Sequence, residues 1–128
     1  MQVRDGMTPA VLVVGPGHTL RQTARLMRER KVGAAVVHDD GGQGPSILTE
    51  RDILDAVALG QDLETEVAGD HLTANAVVAD PDWSLDEAAS AMLRGGFRHL
   101  IVSEAGSVVG VLSMRDIVGC WSRHRQPA

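Results

Sequence analysis

The sequence repeats itself, and the repeat limits what the chain can fold into. Pro16 recurs as Pro81, 65 positions on, and the same step carries Thr8 to Thr73, Leu20 to Leu85, Ala24 to Ala89 and Met27 to Met92. Past the glycines Gly41 and Gly106 the step becomes 64, carrying Asp52 to Asp116, so the first copy holds one extra loop residue within Gly42-Gln43-Gly44-Pro45. A chain of 128 residues built this way is one domain, or one repeat pair sharing a core. A single copy of about 60 residues would be marginal alone, because a small chain buries too little of its surface. Aromatic residues make up 2%, so Val, Leu, Ala, Ile and Met must fill the core.

Each copy reads strand, helix, strand, strand, helix, which makes the fold class α/β. Residues 11–14 and 76–79 are expected as short buried strands ahead of a proline turn. Thr19-Leu20-Arg21-Gln22 and Ser84-Leu85-Asp86-Glu87 have the spacing of capping boxes, in which a hydroxyl and a longer polar side chain satisfy each other's backbone N–H. The helices they open carry apolar stripes, Leu20, Ala24, Met27 and Leu85, Ala89, Met92, at helical spacing. Residues 34–37 and 100–102 read as second strands. Glycine-bearing turns (Asp40-Gly41-Gly42, Ala105-Gly106-Ser107) lead back into third strands as hairpins. The closing helices are expected to turn Ile53, Leu54 and Val57 inward, echoed by Ile117, Val118 and Trp121.

The third strands run straight into those helices, as Ser46-Ile47-Leu48-Thr49-Glu50-Arg51-Asp52 and Gly110-Val111-Leu112-Ser113-Met114-Arg115-Asp116. In both, a hydroxyl stands three residues ahead of a carboxylate. A helix start carries unpaired N–H groups and about half a positive charge. A carboxylate one turn in can accept both hydrogen bonds of a vicinal diol. Together they suit a ribose-phosphate. The same pattern is also an ordinary capping box; its appearance twice in matching contexts favours a ligand.

This ordered set, repeated twice, resembles the cystathionine β-synthase (CBS) domain family. The resemblance runs from Val3-Arg4-Asp5-Gly6-Met7-Thr8 to Val118 and includes Phe97-Arg98-His99-Leu100-Ile101-Val102. It implies tandem CBS motifs over residues 3–60 and 67–122, a linker at 61–66 and a tail at 123–128, the two motifs being related by a pseudo-twofold and forming one CBS pair (a Bateman module). It further implies that AMP, ADP, ATP or S-adenosylmethionine binds in clefts between the motifs as a regulatory ligand rather than a cofactor. Carried over by position, Asp52 and Asp116 would hold ribose hydroxyls while Thr49 and Ser113 meet phosphate. Ile47 and Val111 would form apolar floors. Thr8, Val11 and Val13 would flank the Asp116 site, and Thr73, Ala76 and Val78 the Asp52 site. Arg98 and His99 match the family's basic pair and belong with Asp116. The first copy departs here, with Gly33 and Ala34 at the matching positions, and Ser46 stands where the second copy has Gly110. The two sites are therefore expected to be unequal.

Charge and composition narrow the remaining classes. A formal charge of −5 argues against nucleic acid, whose binding rests on clustered Lys and Arg. No apolar run is long enough to span a bilayer, no signal peptide precedes the first strand, and the single Cys120 fits a reducing compartment. A cytoplasmic location is the expectation. His18, His38, His71 and His124 show no metal-ligand spacing. No nucleophile stands in motif with His and carboxylate companions, and no phosphate loop is present, so no enzyme is expected. The reading is a homodimeric regulatory module that acts on a partner in trans. Met27, Met92, Val57 and Trp121 are candidates for the dimer face. The alternative is a structural or interaction protein whose pockets stay empty.

Overall fold

The computed structural model describes residues 1–38, 44–73 and 76–125; the expected turn at 40–42 lies outside them, as does part of the extra loop. The chain forms two compact units, Met1–Val11 with Ala76–Ala128, and Leu12–Asn75. These units are not the two sequence copies. Each takes its sheet and main helices from one copy and its lead-in segment from the other.

The unit built on the first copy contains β1 (Val13–Val14), α2 (Leu20–Arg30), β2 (Ala34–Val37), β3 (Ser46–Thr49) and α3 (Glu50–Ala58), then a 3-10 turn at Ala68–Asp70. Its sheet runs β1-β2-β3. Val13 lies opposite Val36 in parallel register, and Val36 lies opposite Ile47 and Ala34 opposite Thr49 in antiparallel register. The other unit opens with α1 (Val3–Gly6) and continues with β4 (Val78–Ala79), α4 (Leu85–Gly95), β5 (His99–Glu104), β6 (Ser107–Ser113) and α5 (Met114–Arg125). Its sheet runs β4-β5-β6 with the same sense, Val78 opposite Ile101, Ile101 opposite Val111, and His99 opposite Ser113.

Local chemistry starts and stops the helices. Gln22 N donates to Thr19 Oγ1 at 3.0 Å and Thr19 N to Gln22 Oε1 at 2.9 Å. Ser84 and Glu87 repeat the exchange at 3.0 and 3.4 Å. Both expected capping boxes therefore form. The helices end differently, because α4 terminates on Gly96 (φ 72°) and α2 on Lys31 (φ 56°). Both residues are left-handed, a conformation that costs a side chain but not glycine. The β5–β6 hairpin turns through Ala105 (φ 51°) and Gly106 (φ 82°), positive at both positions as a two-residue turn matched to strand twist requires.

Packing corrects several inward faces. In α2 and α4 the buried residues are Leu20, Thr23, Met27 and Leu85, Ala88, Met92, so Thr23 and Ala88 sit deeper, while Ala24 and Ala89 are half-buried and Ala89 packs against the edge of its core. Adjacent residues differ by about 100° around a helix, and small side chains at both positions leave the stripe's edge undecided. In α3 and α5 the residues turned inward are Ile53, Ala56, Ile117 and Cys120. Leu54, Val57, Val118 and Trp121 are instead 65%, 53%, 55% and 39% exposed. The first strands are only half buried, with Val13 and Val78 exposed and Val14 and Ala79 inside.

Each unit holds its own cluster of buried apolar side chains. Each sheet has its own pair of helices, which cover one face. The lead-ins complete these cores crosswise. Val3 N donates to Trp83 O at 2.8 Å and Arg4 N to Pro81 O at 3.0 Å; at the matched positions Ala68 N donates to His18 O at 2.8 Å and Gly69 N to Pro16 O at 2.9 Å. Val3 and Ala68 are fully buried.

Candidate functional site

In the unit that carries Asp116, the chain gathers Thr8, Arg98, His99, Val111, Ser113 and Asp116 at the start of α5. Strand pairing sets His99 opposite Ser113. Met114 N, the first amide of α5, donates to Arg98 O at 2.8 Å, which fixes the Arg98 backbone at the helix start and leaves its side chain exposed. Ser113 N donates to Asp116 Oδ2 at 2.8 Å and Asp116 N to Ser113 Oγ at 3.0 Å. This is a full capping box, and it holds a half-buried carboxylate and hydroxyl side by side. Thr8 joins from the lead-in, exchanging backbone hydrogen bonds with Val111 at 2.9 and 3.1 Å.

Gly110 permits that approach, which spacing alone does not reveal. A Cβ there would lie 2.8 Å from Met7 Sδ and 3.0 Å from Thr8 O. The residue is needed small so that the lead-in can lie against β6. Ser46 occupies the matched place in the first copy.

In the unit that carries Asp52, Thr73 joins from the other lead-in, and its backbone N donates to Ile47 O at 2.9 Å. Glu50 N donates to Gly33 O at 3.0 Å, reproducing the Met114–Arg98 bond with no side chain to offer. Thr49 and Asp52 keep the capping-box arrangement, but Asp52 Oδ2 accepts more than the cap. It receives Thr49 N at 2.8 Å, Thr49 Oγ1 at 3.2 Å and Thr73 Oγ1 at 2.5 Å. Nothing in the sequence distinguishes Thr73 from Thr8 in this respect.

Of the other residues assigned by resemblance, Val11 falls in the Asp116 unit and Val13 in the Asp52 unit, while Ala76 and Val78 fall in the Asp116 unit. Val13 forms a cross-sheet row with Val36 and Ile47, and Val78 one with Ile101 and Val111. Cys120 is fully buried and accepts from Arg123 at 3.4 Å. Arg4 pairs with Asp82, whose hydrogen bond and charge push the guanidinium pKa up. Among the described residues no three His, Cys, Asp or Glu side chains converge to hold a metal ion. No described helix is long and apolar enough to cross a membrane.

Comparison with known proteins agrees with the geometry. The CBS domain family model matches the chain twice, over residues 2–59 and 67–122. An uncharacterized 17.7 kDa protein of Acidianus ambivalens is 35% identical over 86% of this chain, which spans 66% of that protein, just under two thirds. The CBS domain-containing protein YhcV of Bacillus subtilis is 33% identical over 90% of this chain and 81% of its own length. A CBS domain protein of Pyrobaculum aerophilum, solved in complex with AMP, superposes with a TM-score of 0.80 at 28% identity, covering 91% of this chain and 89% of that one. With two family matches and the same order of elements in each unit, this chain belongs to the CBS domain family, as a tandem pair of CBS motifs.

Proposed function

We propose that the protein is a regulatory module whose Asp116 half-site binds an adenosine-containing ligand carrying phosphate, and that it has no catalytic role of its own. The observation that carries this reading is the convergence at the start of α5. A half-buried carboxylate suited to a diol, a hydroxyl at a helix N-terminus, and the exposed Arg98 meet within one unit. Arginine presents a planar fork that fits phosphate oxygens, and the helix end adds N–H groups and positive potential. The AMP complex of the Pyrobaculum relative supports the ligand class. His99, opposite Ser113, is assigned to the same phosphate. ATP and ADP fall within this class; S-adenosylmethionine, which carries no phosphate, is the fourth ligand to compare.

Calorimetry of AMP against the purified protein tests the reading, together with a thermal shift. Ligand at 100 times its dissociation constant stabilises the folded state by about 2.7 kcal/mol, a shift easily seen. Absence of heat and shift with all four ligands would favour a second reading, in which the protein is structural and its motifs serve only as caps. The completeness of the Ser113–Asp116 capping box speaks for that alternative.

A homodimer forms part of the proposal. Met27 and Met92 belong to the cores, so they do not supply its face. Leu54, Val57, Val118 and Trp121 stand exposed at matched positions of α3 and α5, and tryptophan is enriched in protein interfaces. Light scattering at micromolar concentration should give twice the mass of 13.6 kDa; a monomer would overturn this part. The ligand signal then passes to a partner protein in trans, in the cytoplasm.

A further inference from the structure

We propose that Thr73 decides whether the Asp52 half-site can accept a ribose, by occupying with its own hydroxyl the carboxylate that the ribose would need. The inference rests on the adenosine reading above and deepens it. Asp52 Oδ2 takes three donors, from Thr49 N, Thr49 Oγ1 and Thr73 Oγ1, the last at 2.5 Å. A carboxylate has about four lone-pair directions across its two oxygens. Three donors on one oxygen leave no direction there for half of a vicinal diol. A two-pronged grip is thereby blocked while Thr73 stays in place.

Thr73 is well placed to stay. Its backbone N is tied to Ile47 O at 2.9 Å, and its branched side chain is stiff at χ1. The segment leading to it is pinned as well. Gly69 N donates to Pro16 O at 2.9 Å, and His71 Nε2 meets Glu66 Oε1 at 2.7 Å. The matched residue in the other unit behaves differently. Thr8 pairs with Val111 through its backbone, and among the described residues no hydroxyl from outside the capping box donates to Asp116. Ser113 turns its hydroxyl to the Asp116 amide, whereas Thr49 turns its hydroxyl to the Asp52 carboxylate. One half-site is open and the other is latched by the chain itself. A ligand at Asp52 must break the latch, and doing so moves Thr73 and its segment.

The test uses adenosine, which lacks phosphate and so isolates the diol contact. Calorimetry is run on Asp116→Ala, which removes the open half-site, with and without Thr73→Val. A hydrogen bond to a charged group corresponds to roughly 10- to 150-fold in affinity. Thr73→Val should therefore raise adenosine affinity at least about tenfold, and adding Asp52→Ala should abolish the gain. Unchanged or weaker binding by folded Thr73→Val overturns the inference. A second measurement on the unsubstituted chain covers a variant that fails to fold. The Thr73 hydroxyl proton should appear in NMR as a slowly exchanging resonance that Asp52→Ala removes; a fast-exchanging hydroxyl overturns the latch. Failure of the adenosine reading itself looks different, because unsubstituted protein would then bind no adenosine or AMP at either half-site while the protected hydroxyl persisted.

Discussion

The two units carry the same elements in the same order, yet the half-site at Asp116 and the half-site at Asp52 have diverged in kind. At Asp116 the lead-in lies against β6 over a glycine, an arginine stands at the helix start, and among the described residues the carboxylate carries only its cap. At Asp52 the glycine is Ser46, the arginine is Gly33, and the lead-in's threonine is bonded to the carboxylate. The difference teaches that one motif can either keep its carboxylate for its own cap or have it engaged from a distant segment. Hydroxyl and carboxylate keep the same spacing in both copies; what separates them is whether a third element uses the carboxylate.

Removing each carboxylate should break that comparison most sharply. Asp116→Ala is expected to weaken AMP binding by about 10- to 150-fold with little loss of stability, since a charged hydrogen bond contributes about 1.5–3 kcal/mol. Asp52→Ala should do the reverse. It strips three donors of their acceptor and should lower unfolding free energy by about 1–3 kcal/mol with AMP affinity unchanged. Calorimetry and urea unfolding on both variants read this out. Matching behaviour of the pair would mean the half-sites are equivalent after all.

Gly110→Ala comes next in size. The added methyl meets Met7 Sδ at 2.8 Å and Thr8 O at 3.0 Å, so the lead-in must shift, at a cost of about 1–3 kcal/mol typical of overpacking. Ser46→Ala at the matched position should stay within about 0.5 kcal/mol. Urea midpoints compare the two directly. Arg98→Ala should then reduce AMP affinity by about tenfold and leave adenosine nearly untouched, because only AMP offers the phosphate that arginine grips. If both ligands weaken together, Arg98 shapes the site rather than reading phosphate.

The smallest effect concerns the helix ends. Lys31 adopts the left-handed conformation that Gly96 adopts in the other copy. Lys31→Gly should stabilise the protein by about 0.5–1 kcal/mol, and Gly96→Lys should destabilise it by about the same amount. Thermal melts would resolve both. A destabilising Lys31→Gly would show that the lysine side chain contributes more than its backbone costs.

Much of the architecture was legible because it is local. The capping boxes at Thr19 and Ser84 form between residues three apart, so their sequence spacing carries their geometry. The second strand of the first copy, Ala34–Val37, falls where its apolar run places it, since a strand buried on both faces reads as continuous hydrophobicity. The helix faces were less legible. Leu54 and Val57 are apolar and exposed while the small Ala56 is buried; periodicity records which residues are apolar, and it does not say which apolar face meets the sheet. Resemblance, rather than spacing, brought Arg98 and His99 to the start of α5.

By itself the sequence determined that the chain is a doubled α/β unit, with a hydroxyl and a carboxylate three residues apart at the start of each closing helix. Those features rest on contacts within a few residues, and local chemistry decides them. Only the tertiary structure decided that each unit is completed by the other copy's lead-in, that Gly110 admits Thr8, and that Thr73 rather than Thr8 reaches a carboxylate. Those depend on how closely distant segments approach. Thr8 and Thr73 are the same residue at matched positions, and a difference in packing alone makes one a neighbour of an open carboxylate and the other its latch.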